Sequence, residues 1–449
     1  MEGAVAGALY AAENIIEGAV ALAKGLTHPT LPLKANLTHI TSVPVPRSHH
    51  TLSVVKGRAY IFGGQDQTGQ LADNAMHIVI LPSSGVLEAD YKSVPARALQ
   101  PGGEVPRARK GHTAVVIGDS IYLFGGEGQG VEEEKGRVWV YRTVSNSWSY
   151  LDPAEGSTAP LPRSGHSAAS SELPGPKDEV VYREKAPQQP ADPAKVVPEP
   201  AEVDTWGTMF VVGGKSTTNG EASTDALAFD VRTRTWSNIP SPSGQPRSDA
   251  SLTLAGNWLF RFGGKSATEL DIGTGFELLD VGPVFTHAEG GTTPLTSGWG
   301  WQEVLPADGS ETPQPRSGAG LAPVTTGQGR HYLLALGGEA QNGSLLGDIW
   351  AFQLPSEKTT AAKAKDETRA TMKAGTNESK WAESQYIYID SKGEEESQIA
   401  GQSKQGISSR CHFAVARGTE VDGASVVAWG GVDGEGKVLG DGWLVTVDR

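Results

Sequence analysis

The sequence predicts an all-β protein in which six four-stranded units close into a ring, a six-bladed β-propeller. Three observations predict it. Six Gly-Gly pairs (Gly63-Gly64, Gly125-Gly126, Gly213-Gly214, Gly263-Gly264, Gly337-Gly338 and Gly430-Gly431) each close a short apolar run such as Leu123-Phe124 or Ala428-Trp429. Each pair lies downstream of an opening of the type Pro162-Arg163-Ser164-Gly165-His166. The period is roughly 50 residues, the length of one blade. A closed ring is then expected to take up nearly the whole of the 449 residues, because every blade needs its neighbours to bury its faces.

Each unit reads as strands a to d. Strand a follows the arginine, strand b ends in the glycine pair, strand c alternates apolar residues, and strand d often carries Trp. Blade one opens at Pro46-Arg47, with strand c at Met76-His77-Ile78-Val79-Ile80 and strand d at Tyr91-Lys92-Ser93-Val94. Blade two opens at Arg109, with Val138-Trp139-Val140-Tyr141 and Trp148. Blade three opens at Pro162-Arg163 and carries Trp236. Blade four opens at Pro246-Arg247 and carries Trp301; blade five opens at Pro315-Arg316 and carries Trp381. Blade six opens at Ser409-Arg410 and reaches Gly442-Trp443-Leu444-Val445-Thr446 with no fourth strand after it. Residues 37–43, Leu37 to Val43, are strand-like and stand where a strand d should stand, so they are predicted to complete blade six. That arrangement removes an open seam.

Residues 1–36 are read as a helix and linker, and residues 37–449 as the propeller. In the first segment Val5, Leu9, Ala12, Ile16, Ala19 and Ala23 recur every three or four positions, which predicts an amphipathic helix of about 20 residues ending near Gly25. Insertions are expected at 170–204, 282–298 and 355–379. The first is rich in Pro, Glu and Lys and reads as a loop. The last holds a possible short helix within residues 360–373. Strand order alone puts the Pro-Arg openings and the segments after Gly-Gly on one face of the disc. The three insertions fall on the other.

These features resemble the kelch repeat, and the resemblance covers residues 37–449. The departures are Ala250 and Ala319, which stand where other blades have His, and Arg410, which reads as one residue out of register. The same blade architecture occurs in galactose oxidase-like propellers. Enzymes of that group use a Tyr-Cys crosslink with Tyr and His copper ligands. Here Cys411 is the single cysteine and has no tyrosine beside it in sequence. Plant specifier proteins use a Glu-x-x-x-Asp-x-x-x-His iron motif, and none is found. Nor is there a phosphate-binding glycine loop or a nucleophile elbow.

The leading expectation is therefore a non-catalytic adaptor that binds a protein partner, acting as a monomer and without a cofactor. A small-molecule or catalytic site in the central channel is the alternative, so enzymatic activity stays open. In kelch domains that bind acidic peptides, arginines near blade starts contribute to recognition. The resemblance thus points to Arg47, Arg109, Arg163, Arg247, Arg316 and Arg410 as a ligand-binding ring on the motif face. The competing reading pairs each arginine with a carbonyl or carboxylate of a neighbouring blade, with Asp66, Glu127, Glu339 and Asp433 as candidate carboxylates. His50, His112, His166 and His412 read as equivalent, hydrogen-bonded structural residues, and no metal site is expected. A formal net charge of −14 argues against a nucleic-acid or anionic-membrane binder. One cysteine and no signal-like N-terminus fit a reducing, cytoplasmic setting.

Overall fold

The computed structural model describes residues 29–40, 43–81, 91–175, 206–266, 276–286, 298–305, 310–326, 329–355, 361–371, 377–389, 395–396, 407–418 and 424–448. The predicted N-terminal helix lies outside these residues, as does most of the insertion at 170–204. Among the described residues no helix is long and apolar enough to cross a membrane.

Six antiparallel sheets form the ring. Blade one is Thr51–Val55, Arg58–Phe62, Met76–Ile80 and Tyr91–Val94; blade two is Thr113–Ile117, Ser120–Phe124, Val138–Arg142 and Ser147–Leu151. Blade three is Ser167–Ser171, Thr208–Val212, Ala226–Asp230 and Thr235–Asn238; blade four is Ser251–Ala255, Trp258–Phe262, Phe276–Asp280 and Gln302–Val304. Blade five is Gly320–Thr325, His331–Ala340, Leu345–Gln353 and Trp381–Glu383. Blade six combines Ala414–Arg417, Ser425–Trp429 and Gly442–Asp448 with Lys34–His39 from the start of the chain.

The closing strand is therefore present, although it runs from Lys34 to His39 rather than over 37–43. It lies antiparallel to Gly442–Asp448 with Leu37 opposite Val445. Its period-2 pattern explains why: Ala35 and Leu37 are fully buried while Asn36 and Thr38 face the other way. An unanticipated strand, Gln385–Ile389, follows directly on blade five's strand d. It pairs in parallel with Lys34–His39, so the closing strand is sandwiched rather than left at an edge.

The described apolar core divides into six clusters, one for each junction between neighbouring blades. Val138 and Val140 of blade two, for example, pack with Met209, Val211 and Phe229 of blade three. The strand-d tryptophans are pegs in these junctions. Trp148 lies 5.0 Å from the ring of Phe62 in the preceding blade, Trp236 lies 4.9 Å from Phe124, and Trp381 lies 5.7 Å from Phe262. On the insertion side, the helix Ala361–Thr371 is tied to blade five by a buried ion pair between Asp366 and Arg330.

The glycine pairs are the joints between blades. The second glycine of blade one donates its N–H to the carbonyl of Arg109 in blade two at 2.8 Å, and Gly126, Gly214, Gly264 and Gly431 repeat this contact around the ring. Gly263 has φ +67°, and a Cβ there would lie 2.2 Å from the Arg316 carbonyl oxygen. Only glycine fits both the left-handed backbone and that approach.

Candidate functional site

The six ring arginines occupy equivalent positions, and five of them point inward. Arg316 is fully buried. Its guanidinium donates to the Gln314 carbonyl at 3.0 Å, to the Gly337 carbonyl at 2.9 Å, and bidentately to Asp348 at 2.6 and 3.0 Å. Arg410 repeats this with Ser408, Gly430 and Asp441. Arg109 does so with Arg107, Gly125 and Glu134, Arg163 with Leu161, Gly213 and Asp225, and Arg47 with Gly63 and Asp73. Each of these five arginines thus joins the end of strand b to the start of strand c within its own blade. The carboxylates anticipated from sequence, Asp66, Glu127, Glu339 and Asp433, are not the partners. The actual partner lies just before strand c or, for Asp348, within its first few residues, and the strand-c Trp two residues on donates to it as well: Trp350 to Asp348 at 2.7 Å and Trp443 to Asp441 at 2.6 Å. That Asp-x-Trp spacing was a usable sequence signal. Burial acts to raise the Asp441 carboxyl, but the hydrogen bond and charge of Arg410 outweigh it and hold it below the usual carboxylate range.

Blade four departs from this scheme. Arg261, inside strand b, takes the carboxylate of Glu277 at 2.9 Å, and Arg247 is left 3.9 Å from it. The Arg247 side chain keeps 18% of its exposure.

The structure also corrects the blade-six register. Cys411 pairs with Val432 as Ser48 pairs with Gln65, which puts Arg410 in register with the other arginines. Phe413 then stands where His50, His112 and His166 stand: the Cβ sites of Gly431, Gly64, Gly126 and Gly214 meet these four residues in turn. His412 is equivalent instead to His49. Two of the three true equivalents bridge blades, His112 Nε2 to Thr51 Oγ1 at 3.0 Å and His166 Nε2 to Thr113 Oγ1 at 2.8 Å. Ala414 replaces that hydroxyl opposite His50, and both ring nitrogens of His50 are buried without a hydrogen-bond partner.

His49, Gly111, Gly165, Asp249, Gly318 and His412 form a second, inner ring. All six have left-handed backbones, with φ between 52° and 62°. Each donates its N–H to its counterpart in an adjacent blade: Gly111 to His49 (3.0 Å), Gly165 to Gly111 (2.8 Å), Asp249 to Gly165 (2.8 Å), Gly318 to Asp249 (2.9 Å), His412 to Gly318 (3.1 Å) and His49 to His412 (3.0 Å). The chain of bonds closes on itself around the axis at the motif face. Where the ring position is not glycine, the side chain is His or Asp, and the left-handed backbone costs a non-glycine residue about 1–2 kcal/mol. The imidazoles of His49 and His412 stack at 4.0 Å. Burial, then the charge of His412, lowers the His49 imidazole to about 3, against an opposing pull from Asp249. Burial lowers His412 as well. Both shifts favour the neutral imidazole.

Around this ring stand the residues that follow each glycine pair and each arginine. Lys110 bonds Gln65 at 2.9 Å and Glu127 at 3.1 Å, and Lys265 lies 3.6 Å from Asp249. Lys215 is exposed. Glu339, Cys411 and His412 bring a carboxylate oxygen, a thiol and an imidazole nitrogen to within 4.8 Å of one another. Burial, then the negative charge of Glu339, pushes the Cys411 thiol up to about 11. A separate cleft of about 380 Å³ opens on the motif face of blade two, but its Arg137 is already paired with Glu104 and Asp152 and stacked on Tyr150.

Residues 33–172 match the family described as the KLHDC2/KLHL20/DRC7 Kelch-repeats domain. The chain is a six-bladed kelch-type β-propeller. Among solved structures, the one titled "Structure of YjhT" superposes with a TM-score of 0.51 at 16% identity, covering 91% of this chain and 99% of that one. This kelch propeller is 30% identical over 131 residues to an N-(sulfonatooxy)prop-2-enimidothioate sulfolyase of Thlaspi arvense, covering 29% of the chain and 34% of the relative. It is 26% identical over 285 residues to the host cell factor of Drosophila melanogaster, covering 60% of the chain and 15% of the relative. A Rho GTPase-activating protein, gacHH of Dictyostelium discoideum, is 30% identical over 131 residues, or 28% of the chain and 8% of that protein. The chain thus spans about a third or less of these relatives' own lengths.

Proposed function

We propose that this kelch propeller is a non-catalytic adaptor that holds an acidic segment of a protein partner on its motif face, over blades three and four. The observation that carries this is the exception in blade four. Arg261 satisfies Glu277, so Arg247 keeps donors that the other ring arginines spend internally. The backbone brings two lysines beside it. Gly214, next to Lys215, donates to the Arg247 carbonyl at 3.0 Å, and Lys265 pairs with Ser248. Arginine and lysine donors at a partly exposed rim suit carboxylates. Relatives named as a host cell factor and as a GTPase regulator support protein binding as the setting.

The test is affinity capture with the intact chain against a variant carrying Arg247→Ala, Lys215→Ala and Lys265→Ala. Loss of retained partners, with retention in the wild type weakening as salt rises, is the expected outcome. An unchanged partner set would rule this face out.

A further inference from the structure

The repeat supplies its own controls for a second site. At every junction three repeat-equivalent positions flank the contact between one blade's glycine pair and the next blade's arginine carbonyl: the residue after the glycine pair, and the two residues after the arginine. From blade one onward the sets are Gln65, Lys110, Gly111; then Glu127, Ser164, Gly165; then Lys215, Ser248, Asp249; then Lys265, Ser317, Gly318; and, across the ring closure, Val432, Ser48, His49. The junction between blades five and six alone combines a carboxylate, a thiol and an imidazole: Glu339, Cys411 and His412.

Further features favour a ligand here over a structural role. Cys411 is 94% buried by its 6% relative exposure, yet no hydrogen bond engages its thiol among the described contacts. The imidazole of His412 stacks on the ring of His49, and no hydrogen bond engages it among the described contacts. The backbone of His412 is fixed in the left-handed region at both its N–H and its C=O by the inner ring. Gly318 makes room for its ring: a Cβ at Gly318 would lie 3.0 Å from His412 Nδ1.

We propose that Glu339, Cys411 and His412 form a binding site for one divalent metal ion of borderline softness, of the Zn²⁺ or Co²⁺ type, at the junction of blades five and six. Sulfur, nitrogen and oxygen donors together are the mixture such ions accept. Bonds of about 2.0–2.3 Å in a tetrahedral arrangement separate ligand atoms by roughly 3.3–3.8 Å. The three donor atoms already lie within 4.8 Å of one another, and metal binding requires the side chains to draw in to that spacing. The Cys411 proton leaves to solvent as the thiolate–metal bond forms. Three protein ligands leave a fourth tetrahedral position for water. This site does not depend on the partner-binding reading, because it is measured on the isolated chain with the metal alone.

The experiment strips the full chain with a chelator, dialyses it against Zn²⁺ under reducing conditions, and counts bound metal by mass spectrometry. A parallel sample takes Co²⁺ and is read for the thiolate-to-cobalt charge-transfer band. The wild type is expected to hold about one ion per chain and to show the band. Cys411→Ser abolishes the band, and both Cys411→Ser and His412→Gly weaken Zn²⁺ binding at least tenfold, a conservative expectation when even an outer-shell change costs about 10–100-fold. His412→Gly places at this position the residue that Gly111, Gly165 and Gly318 already provide, so it keeps the fold, which circular dichroism verifies. The proposal is overturned if the wild type shows no band, or if Cys411→Ser and His412→Gly bind Zn²⁺ as tightly as the wild type.

Discussion

Arg316→Ala separates a structural arginine from a ligand-binding one. The change removes a bidentate pair with Asp348 at 2.6 and 3.0 Å and the donors to the carbonyls of Gly337 and Gln314, all from a side chain with no exposure. Removing one partner of a buried pair costs about 3–5 kcal/mol, because the other is left uncompensated. The Asp348 side chain retains 23% of its exposure, so water partly rehydrates it and the loss falls near 3 kcal/mol. Arg247→Ala is the control. Its guanidinium stands 3.9 Å from Glu277 and is partly exposed, so its loss costs about 1 kcal/mol or less. Urea titrations followed by tryptophan fluorescence measure both, compared at equal slope; Trp350, bonded to Asp348, reports locally. A further variant, Arg316→Met with Asp348→Leu, removes both charges together and is expected to lose less than Arg316→Ala alone. Equal midpoints for Arg316→Ala and Arg247→Ala would refute the assignment of the inward-pointing arginines to the scaffold.

Two further outcomes are expected. His50→Phe installs what blade six already has at Phe413. It removes a buried imidazole whose nitrogens make no well-formed hydrogen bond, the Arg47 backbone being the nearest acceptor, so stability at pH 7 changes by no more than about 1 kcal/mol. Its pH profile changes too. Burial, then the charge of Arg47, lowers His50 to about 3, and burial and Arg163 lower His166 likewise. A group depressed in the folded state contributes stability above its unfolded value, near 6.5, and that contribution disappears as pH falls toward about 3. Thermal melts across this window should show a shallower acid loss in His50→Phe than in the wild type; parallel profiles would exclude His50 as a contributor. Gly263→Ala forces a Cβ to within 2.2 Å of the Arg316 oxygen, whereas Gly69→Ala, at φ +79°, meets open space. The second should cost about 1–2 kcal/mol and the first clearly more. Similar melting temperatures for the two would contradict the joint role of the glycine pairs.

The blades were legible because their signal is repeated: a glycine pair six times over leaves little room for another architecture. The closing strand was legible because strand d was missing at one end and spare at the other. The arginine partners were not, since Asp348 and Asp441 lie some 30 residues downstream and meet their arginines only once strands b and c pair. The blade-six register was misread for a related reason. His412 matched the histidine pattern by residue type, whereas the backbone, through the left-handed ring, aligns it with His49. Position in that ring depends on φ, and Gly, His and Asp have no common side-chain signature to betray it. Gln385–Ile389 escaped because its partner strand is the closing strand itself, so neither composition nor spacing announces it.

The closing strand also has a consequence in time. Lys34–His39 precedes its antiparallel partner, Gly442–Asp448, by roughly 400 residues, so it is synthesised long before that partner exists. Blades one to five can pair their strands from local contacts as they are made. Ala35 and Leu37 cannot meet Val447 and Val445 until that partner strand has been made. Until Gln385–Ile389 and then Gly442–Asp448 are made, this apolar strand has neither neighbour, and this is the interval in which it most needs shielding from other chains.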